Sequence, residues 1–243
     1  MIFNARLALA PTNEEISVLP MTTNARIAAE LLAGAGARVL DIGCGEGKFT
    51  RSLKRLFSEV AGVDVKSNKI AEALTAAKAE GMDVDFRVAS GQELPWSDGH
   101  FDAVVFSNSL HHMPNDKAAI NEAMRVLKVG GLLYVMEPVA SGHYHEATKI
   151  VNDETEVRRN AYKAMSETAK AMLVREILYR APRSFASFEE WRDDQIDRDP
   201  KRKSKFDENP LEARRRFEIG ARNEGGRLEF DQVFRVDLLR KEP

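Results

Sequence analysis

Five short runs rich in β-branched and aromatic residues recur between positions 38 and 136, separated by helix-patterned segments or turns. They are Arg38-Val-Leu-Asp-Ile42, Val60-Ala-Gly-Val-Asp64, Val84-Asp-Phe-Arg-Val88, Phe101-Asp-Ala-Val-Val-Phe106 and Gly131-Leu-Leu-Tyr-Val-Met136. Apolar stripes mark the helices: Phe49, Leu53, Leu56 and Phe57; then Ile70, Leu74 and Ala77; then Ile120, Ala123, Met124 and Leu127. A further helix over 22–34, started by Thr22 or Thr23 and ended by Gly34, precedes them. Strands spaced by helices imply an α/β fold with a mostly parallel sheet and right-handed crossovers. The unbroken apolar stretch from Ala103 to Phe106 fits strands covered on both faces.

After residue 138 the rhythm changes. Residues 153–180 carry an apolar stripe through Val157, Ala161, Met165 and Met172, which predicts one long or two short amphipathic helices. Helices are also expected over Phe188 to Arg198 and Pro210 to Ile219. Alternation at Leu228, Phe230, Phe234, Val236 and Leu238 predicts a closing strand with one polar face, of the kind often found as an antiparallel edge. The whole chain, 1–243, reads as one domain, with a core over 22–140 and 225–240 and a helical insertion or cap over about 141–220.

Composition narrows the partners. With 36 Lys and Arg against 38 Asp and Glu, the net charge of −2 indicates no general attraction to nucleic acid or anionic membrane. The basic positions Lys201, Arg202, Lys203, Lys205 and Arg214 to Arg216 are interrupted by Asp199, Asp207, Glu208 and Glu212, as on a solvated helical face. A single cysteine, Cys44, forms no internal disulfide. The opening stretch, Met1 to Pro11, is too short and interrupted for a secretory signal, which makes the cytoplasm the default compartment.

The chemistry concentrates in Val39-Leu-Asp-Ile-Gly-Cys-Gly-Glu-Gly47, where a buried strand enters three glycines at alternate positions and then a helix. Glycine lets backbone turn sharply and lie against a ligand that a side chain would exclude. Asp64 ends the next strand, 21 residues beyond Gly43, where a carboxylate can accept hydrogen bonds from both hydroxyls of a ribose. Turn and acid together point to an adenosine cofactor. A nicotinamide or flavin site calls for G-x-G-x-x-G, whereas here Asp41 precedes Gly43-x-Gly45-x-Gly47, and an acid at that place would repel a pyrophosphate.

In this pattern the chain resembles the class I S-adenosylmethionine (SAM)-dependent methyltransferases over roughly residues 25–140. Leu94-Pro95-Trp96, Phe101 to Phe106, Leu110-His111-His112 and Leu127-Lys-Val-Gly130-Gly131 fall in the family's order. The resemblance implies a Rossmann-like, seven-stranded sheet with an antiparallel last strand. It also implies that Asp41, Gly43, Cys44 and Gly45 line the methionine end of SAM. Asp64 would hold the ribose with Val65 beside the adenine, Ser90, Gly91 and Gln92 would run along the adenine edge, and Ser107 and Asn108 would border cofactor and acceptor. Ser90 departs from the acid that many relatives carry there. The Asn-Pro-Pro-Tyr type sequence of relatives acting on amino nitrogens does not follow the fourth strand, which favours a small-molecule acceptor over a macromolecular one.

Methyl transfer from a sulfonium needs alignment more than side-chain chemistry. A base is required where the acceptor loses a proton, and His111 and His112 stand where it would approach. No metal site is expected, since His143 and His145 lack accompanying ligand spacing, and Cys44 reads as a packing residue within the turn. The stretch 153–159 is expected to cap the acceptor pocket. A non-catalytic SAM-binding module and a nicotinamide-dependent oxidoreductase stand as the alternatives. The patterns give no oligomeric state and do not name the acceptor or its methylated atom.

Overall fold

The computed structural model describes residues 10–168 and 171–243. Nearly all of the opening apolar stretch, and positions 169 and 170 of the helix expected over 153–180, lie outside the described residues. In chain order the elements are α1 (Asn13–Ser17), α2 (Asn24–Leu31), β1 (Arg38–Ile42), α3 (Lys48–Lys54), β2 (Glu59–Asp64), α4 (Ser67–Ala79), β3 (Asp85–Val88), β4 (Phe101–Ser107), a 3-10 turn at Leu110–His112, α5 (Asp116–Val126), β5 (Leu127–Pro138), α6 (His143–Thr148), α7 (Thr155–Ser166), β6 (Ala171–Phe185), α8 (Phe188–Arg198), α9 (Arg202–Glu208), α10 (Pro210–Gly220), β7 (Arg222–Glu224) and β8 (Arg227–Lys241).

The strands follow the order β3-β2-β1-β4-β5-β8-β6, with β7 paired to β8 off this path. β1 pairs in parallel with β2 and β4, β2 with β3, and β4 with β5. The C-terminal strand is antiparallel. The α/β class accords with the sequence pattern and the seven-strand path with what the resemblance implies, while β7 adds an eighth, short strand.

The seventh strand of the path comes from an unexpected place. Helical periodicity continues through 153–180, yet the helix stops at Ser166 and β6 begins at Ala171. Met172, Leu173, Arg175 and Glu176 favour helix by only tenths of a kcal/mol each, and pairing beside β8 outweighs that preference. The presumed helical cap over 141–220 therefore contains a 15-residue strand. For the same reason β8 is not an edge. Its polar positions Asp231, Arg235 and Asp237 are buried, whereas the alternation predicts a solvated face.

The chain divides into two compact units, and strands β5, β6 and β8 each contribute residues to both. One unit comprises Thr23–Glu137, Asn160–Ile177 and Arg235–Pro243. Its core is built from Leu40, Ile42, Val104, Phe106 and Leu133 of the sheet with Ala119, Ile120 and Ala123 of α5, all at most 2% exposed. Thr23 caps α2, accepting the Arg26 N–H, as expected. Leu56 and Leu74 are exposed instead of buried; Ala73 joins Ile70 and Ala77 on the buried face of α4, packed with Phe86.

At the amino ends of β1 and β4 a side chain ties the two strands together. Asp102 Oδ2 accepts the N–H groups of Ala37 (3.1 Å) and Arg38 (2.9 Å), and Oδ1 accepts Lys128 Nζ at 2.5 Å. Burial resists ionisation of Asp102, yet Lys128 and the two amides hold its carboxyl below the ordinary range.

The other unit comprises residues 10–22, 138–159 and 178–234. An aromatic cluster forms its core, centred on Phe217, whose ring lies 5.1 Å from those of Trp191 and Phe230 and 5.6 Å from that of Phe188. Truncation there leaves a cavity that rigid neighbouring rings cannot fill. Phe217→Ala is expected to lower the unfolding free energy by roughly 3–5 kcal/mol in urea denaturation. A loss below about 1 kcal/mol would mean the cluster relaxes into the space.

Candidate functional site

β1 lies between β2 and β4, so the strand order turns around at its carboxyl end and opens a crevice there. The chain leaves β1 through Gly43 (φ 74°), Gly45 (φ 53°) and Gly47 (φ 72°), all left-handed. A Cβ on Gly43 would stand 2.6 Å from Ser109 Cβ, so a bare backbone is required there. A Cβ on Gly45 would meet nothing within 4 Å, so that side of its backbone faces open space.

Asp64, at the carboxyl end of β2, fastens this turn. Its Oδ2 accepts the Gly45 N–H at 2.9 Å and its Oδ1 accepts the Lys66 N–H at 2.9 Å. The amides of Gly43 and Cys44 donate to the Val63 carbonyl at 2.8 and 2.9 Å. Each carboxylate oxygen carries a second lone pair, so Asp64 keeps the capacity for two further donors.

Asp41 lies beneath the turn, 1% exposed. Thr50 Oγ1, from α3, donates to its Oδ2 at 2.7 Å, and Oδ1 has no hydrogen-bond partner among the described residues. Burial, against the Thr50 bond and with help from the Asp64 charge, pushes the Asp41 carboxyl up to about 7. Cys44 is half-buried and packed with Ala73 and Phe86, and burial pushes its thiol up, which suits packing and not nucleophilic attack.

The remaining expected residues gather at the same strand ends. Val65 follows Asp64 and is exposed. Ser90 Oγ accepts the Gln92 N–H at 3.1 Å, Gln92 Oε1 accepts the Asn115 N–H at 2.9 Å, and a Cβ on Gly91 would lie 2.8 Å from Ile42 Cγ2. Ser107 ends β4, and Asn108 takes φ 58°, a left-handed conformation that asparagine tolerates better than other side-chain-bearing residues. Its N–H donates to the Met136 carbonyl at 2.7 Å, while Ser109 Oγ donates to the Ile42 carbonyl at 2.6 Å.

The two candidate bases differ. His111 is buried and its Nδ1 is hydrogen-bonded to Glu137, whose other oxygen accepts the Leu110 N–H at 2.7 Å. His112 is exposed, its ring 3.9 Å from that of His111. A carboxylate accepts only from N–H, which places the ring proton on Nδ1 and makes Nε2 the basic nitrogen of His111. Glu137, Thr50 and Ser109 were missed by pattern reading. The one available signal was Glu137 itself, a charge closing an otherwise apolar strand. In the other unit the basic run is matched locally by acids: Lys203 pairs with Asp207, Arg215 and Arg216 with Glu212, and Arg214 with Glu189.

Comparison with known proteins gives this architecture its class. Residues 40–135, from β1 into β5, match the family model of a methyltransferase domain. The chain is 38% identical over 105 residues to the ubiquinone biosynthesis O-methyltransferase of Xanthomonas axonopodis pv. citri, covering 43% of this chain and 44% of that protein. It thus spans less than half the length of the curated relative it matches. Among solved structures it resembles a protein from Bacillus halodurans (TM-score 0.67, 21% identity, 91% of this chain and 100% of that one). It also resembles a geranyl diphosphate methyltransferase in complex with SAM (TM-score 0.55, 19% identity, 89% of this chain and 84% of that one). At these identities the likeness is one of fold. No helix among the described residues is long and apolar enough to cross a membrane.

Asp41 gives the site a measurable signature. Its carboxyl holds a proton more tightly in the folded chain (about 7) than when unfolded (3.8), so its contribution to stability is full at low pH and is lost as pH rises through 7. Asp41→Asn is expected to remove that loss, gaining roughly 2–3 kcal/mol on the parent at pH 8 relative to pH 5. Thermal melts of both proteins at the two pH values test it, and parallel pH dependences would contradict it.

Proposed function

We propose that this chain binds SAM at the carboxyl ends of β1, β2 and β4 and transfers its methyl group to a hydroxyl-bearing small molecule, releasing S-adenosylhomocysteine. The observation that carries the reading is Asp64, whose carboxylate is held beside bare glycine backbone with lone pairs to spare. The residues present suit the cofactor: the open peptide at Gly45 and the unpartnered Asp41 Oδ1 favour a ligand that is slender and cationic. Asp64 accepts the two ribose hydroxyls, with Val65 against the adenine and Ser90, Gly91 and Gln92 along its edge. Asp41, Gly43, Cys44 and Gly45 line the methionine end, and Ser107 and Asn108 border the methyl group. When bound, SAM supplies an activated methyl on a sulfonium leaving group.

The chain's own part is alignment and proton removal. Holding an acceptor in line with the methyl is worth up to about 7–11 kcal/mol of barrier. An oxygen acceptor is supported by the matched relative, an O-methyltransferase. A hydroxyl must lose its proton as the O–C bond forms, and His111 Nε2, with Glu137 fixing the ring, is the base. The chain works as one methyltransferase domain in this reading, since three strands are common to both compact units. The G-x-G-x-G spacing speaks against a nicotinamide oxidoreductase.

Calorimetric titration of the full chain with SAM and S-adenosylhomocysteine is expected to show saturable binding by both and none by NADH. Asp64→Ala is expected to weaken SAM binding by roughly 10–100-fold, the worth of one or two charge-assisted hydrogen bonds. Saturable binding by neither SAM nor its product rejects the function. With a phenolic acceptor, His111→Ala is expected to lower kcat by about 10²–10⁴-fold while leaving SAM affinity unchanged. An unaltered kcat would remove His111 from the chemistry, and no turnover with any acceptor would leave a binding module.

A further inference from the structure

The unit formed by residues 10–22, 138–159 and 178–234 carries a connected group of polar side chains that methyl transfer does not use. Arg202, at the start of α9, donates from Nη1 to Gln195 Oε1 at 2.8 Å. The amide nitrogen of Gln195 reaches Tyr144 Oη at 3.4 Å and Asp194 Oδ2 at 3.1 Å. Arg183 Nη2 reaches the same Tyr144 oxygen at 3.4 Å, its guanidinium 5.4 Å from the ring centroid. Glu154 pairs with Arg158, whose Nη1 faces His145 Nδ1 at 3.4 Å. His145 is therefore neutral at Nδ1 and donates from Nε2 to Thr155 Oγ1 at 3.1 Å.

This group has more donors than the protein gives acceptors. The Nε–H groups of Arg158, Arg183 and Arg202 are all buried, and none has a partner among the described residues. Native proteins rarely bury such donors in numbers. The carboxylates at hand are already engaged: Glu154 by Arg158, Asp199 by the Lys201 N–H at 3.0 Å, and Asp194 by Arg198, which meets it with two bonds at 2.9 and 3.0 Å. Arg183 stands 3.8 Å from Asp194, beyond hydrogen-bond reach. Burial holds the Arg202 guanidinium below its ordinary range despite the attraction of Glu154 and Asp199. Arg183 is thus left with the single long ion pair to Asp194, and Arg202 with the attraction of Glu154 and Asp199 across space, on a floor of buried Gln195 and Tyr144.

The chemistry that satisfies this arrangement is an oxyanion. The Nε–H and adjacent Nη–H of arginine point the same way and match the two oxygens of a carboxylate or phosphate. Tyr144 accepts from both Arg183 and Gln195, so its own hydroxyl proton is available to the same anion. We propose that Arg183 and Arg202, with Tyr144 and Gln195, form a binding site for the carboxylate or phosphate group of a small anionic molecule. None of these residues belongs to the SAM site, so the assignment stands independently of the proposed reaction.

The test is calorimetric titration of the full chain with inorganic phosphate, pyrophosphate and citrate, each against sodium chloride at matched ionic strength. Saturable binding of at least one probe is expected, and the phosphate and citrate arms separate the two ligand chemistries. Arg183→Gln and Arg202→Gln are each expected to weaken it tenfold or more, and Arg202→Lys, which keeps the charge without the fork, by less. Lys203→Gln, on the same helix but paired with Asp207, is expected to bind as the parent does. Tyr144→Phe keeps the ring packed against Phe185 and Phe230 and is expected to weaken binding several-fold. SAM titration of the same variants reports whether they are folded and keeps this test separate from that of the reaction. Failure of all three probes to bind saturably, or equal affinity in the parent and the Arg183→Gln/Arg202→Gln double variant, would overturn the site.

Discussion

The Asp64 carboxylate, accepting the Gly45 amide at 2.9 Å, couples the end of one strand to the turn that leaves its neighbour. Everything at the site follows from that bond. It orients the open peptide at Gly45, and together with the Val63 carbonyl it sets where the Gly43 and Cys44 amides lie. Because those amides are already satisfied by β2, the turn is shaped before any ligand arrives. Preorganisation of this kind lowers the ordering cost of binding. Asp64 does the work of a positioning group and retains the lone pairs of a binding group, which a neutral side chain could not combine so well.

Around that bond the acidic side chains are withdrawn from solvent, and Asp41 keeps its proton up to about pH 7. Asp41 is buried at the base of the turn with the single hydroxyl of Thr50 for company, and Glu137 meets the ring of buried His111. Charges in low dielectric act strongly on whatever shares the space.

The first half of the chain could be read closely because strand and helix preferences agree there with the final packing. β1 begins and ends at Arg38 and Ile42, as the apolar run suggests, and Asp64 closes β2. The second half misleads where local preference and long-range pairing conflict. Residues 171–180 carry helix formers, but their place beside β8 makes them strand. Arg235 looks like the solvent face of a strand and is instead buried against Glu176 and the ring of Tyr162. Such burial depends on what covers the sheet, which no periodicity encodes. The partner of His111 was hidden for a related reason: Glu137 lies 26 residues away, and only the parallel register of β4 with β5 brings them together.

Asp102 illustrates a division of labour along the strands. By gripping the amides of Ala37 and Arg38 and the amine of Lys128, it latches β1 and β4 at the edge of the sheet opposite the glycine turn. At the other edge the loops share that duty through a few bonds, those of Asn108, Ser109 and Leu110 to β5 and β1. Side chains there that make no such bond can be exchanged as a cassette while the latch preserves the scaffold, so a library built on this fold would vary those positions within 107–113 and leave Asp102 and Lys128 untouched.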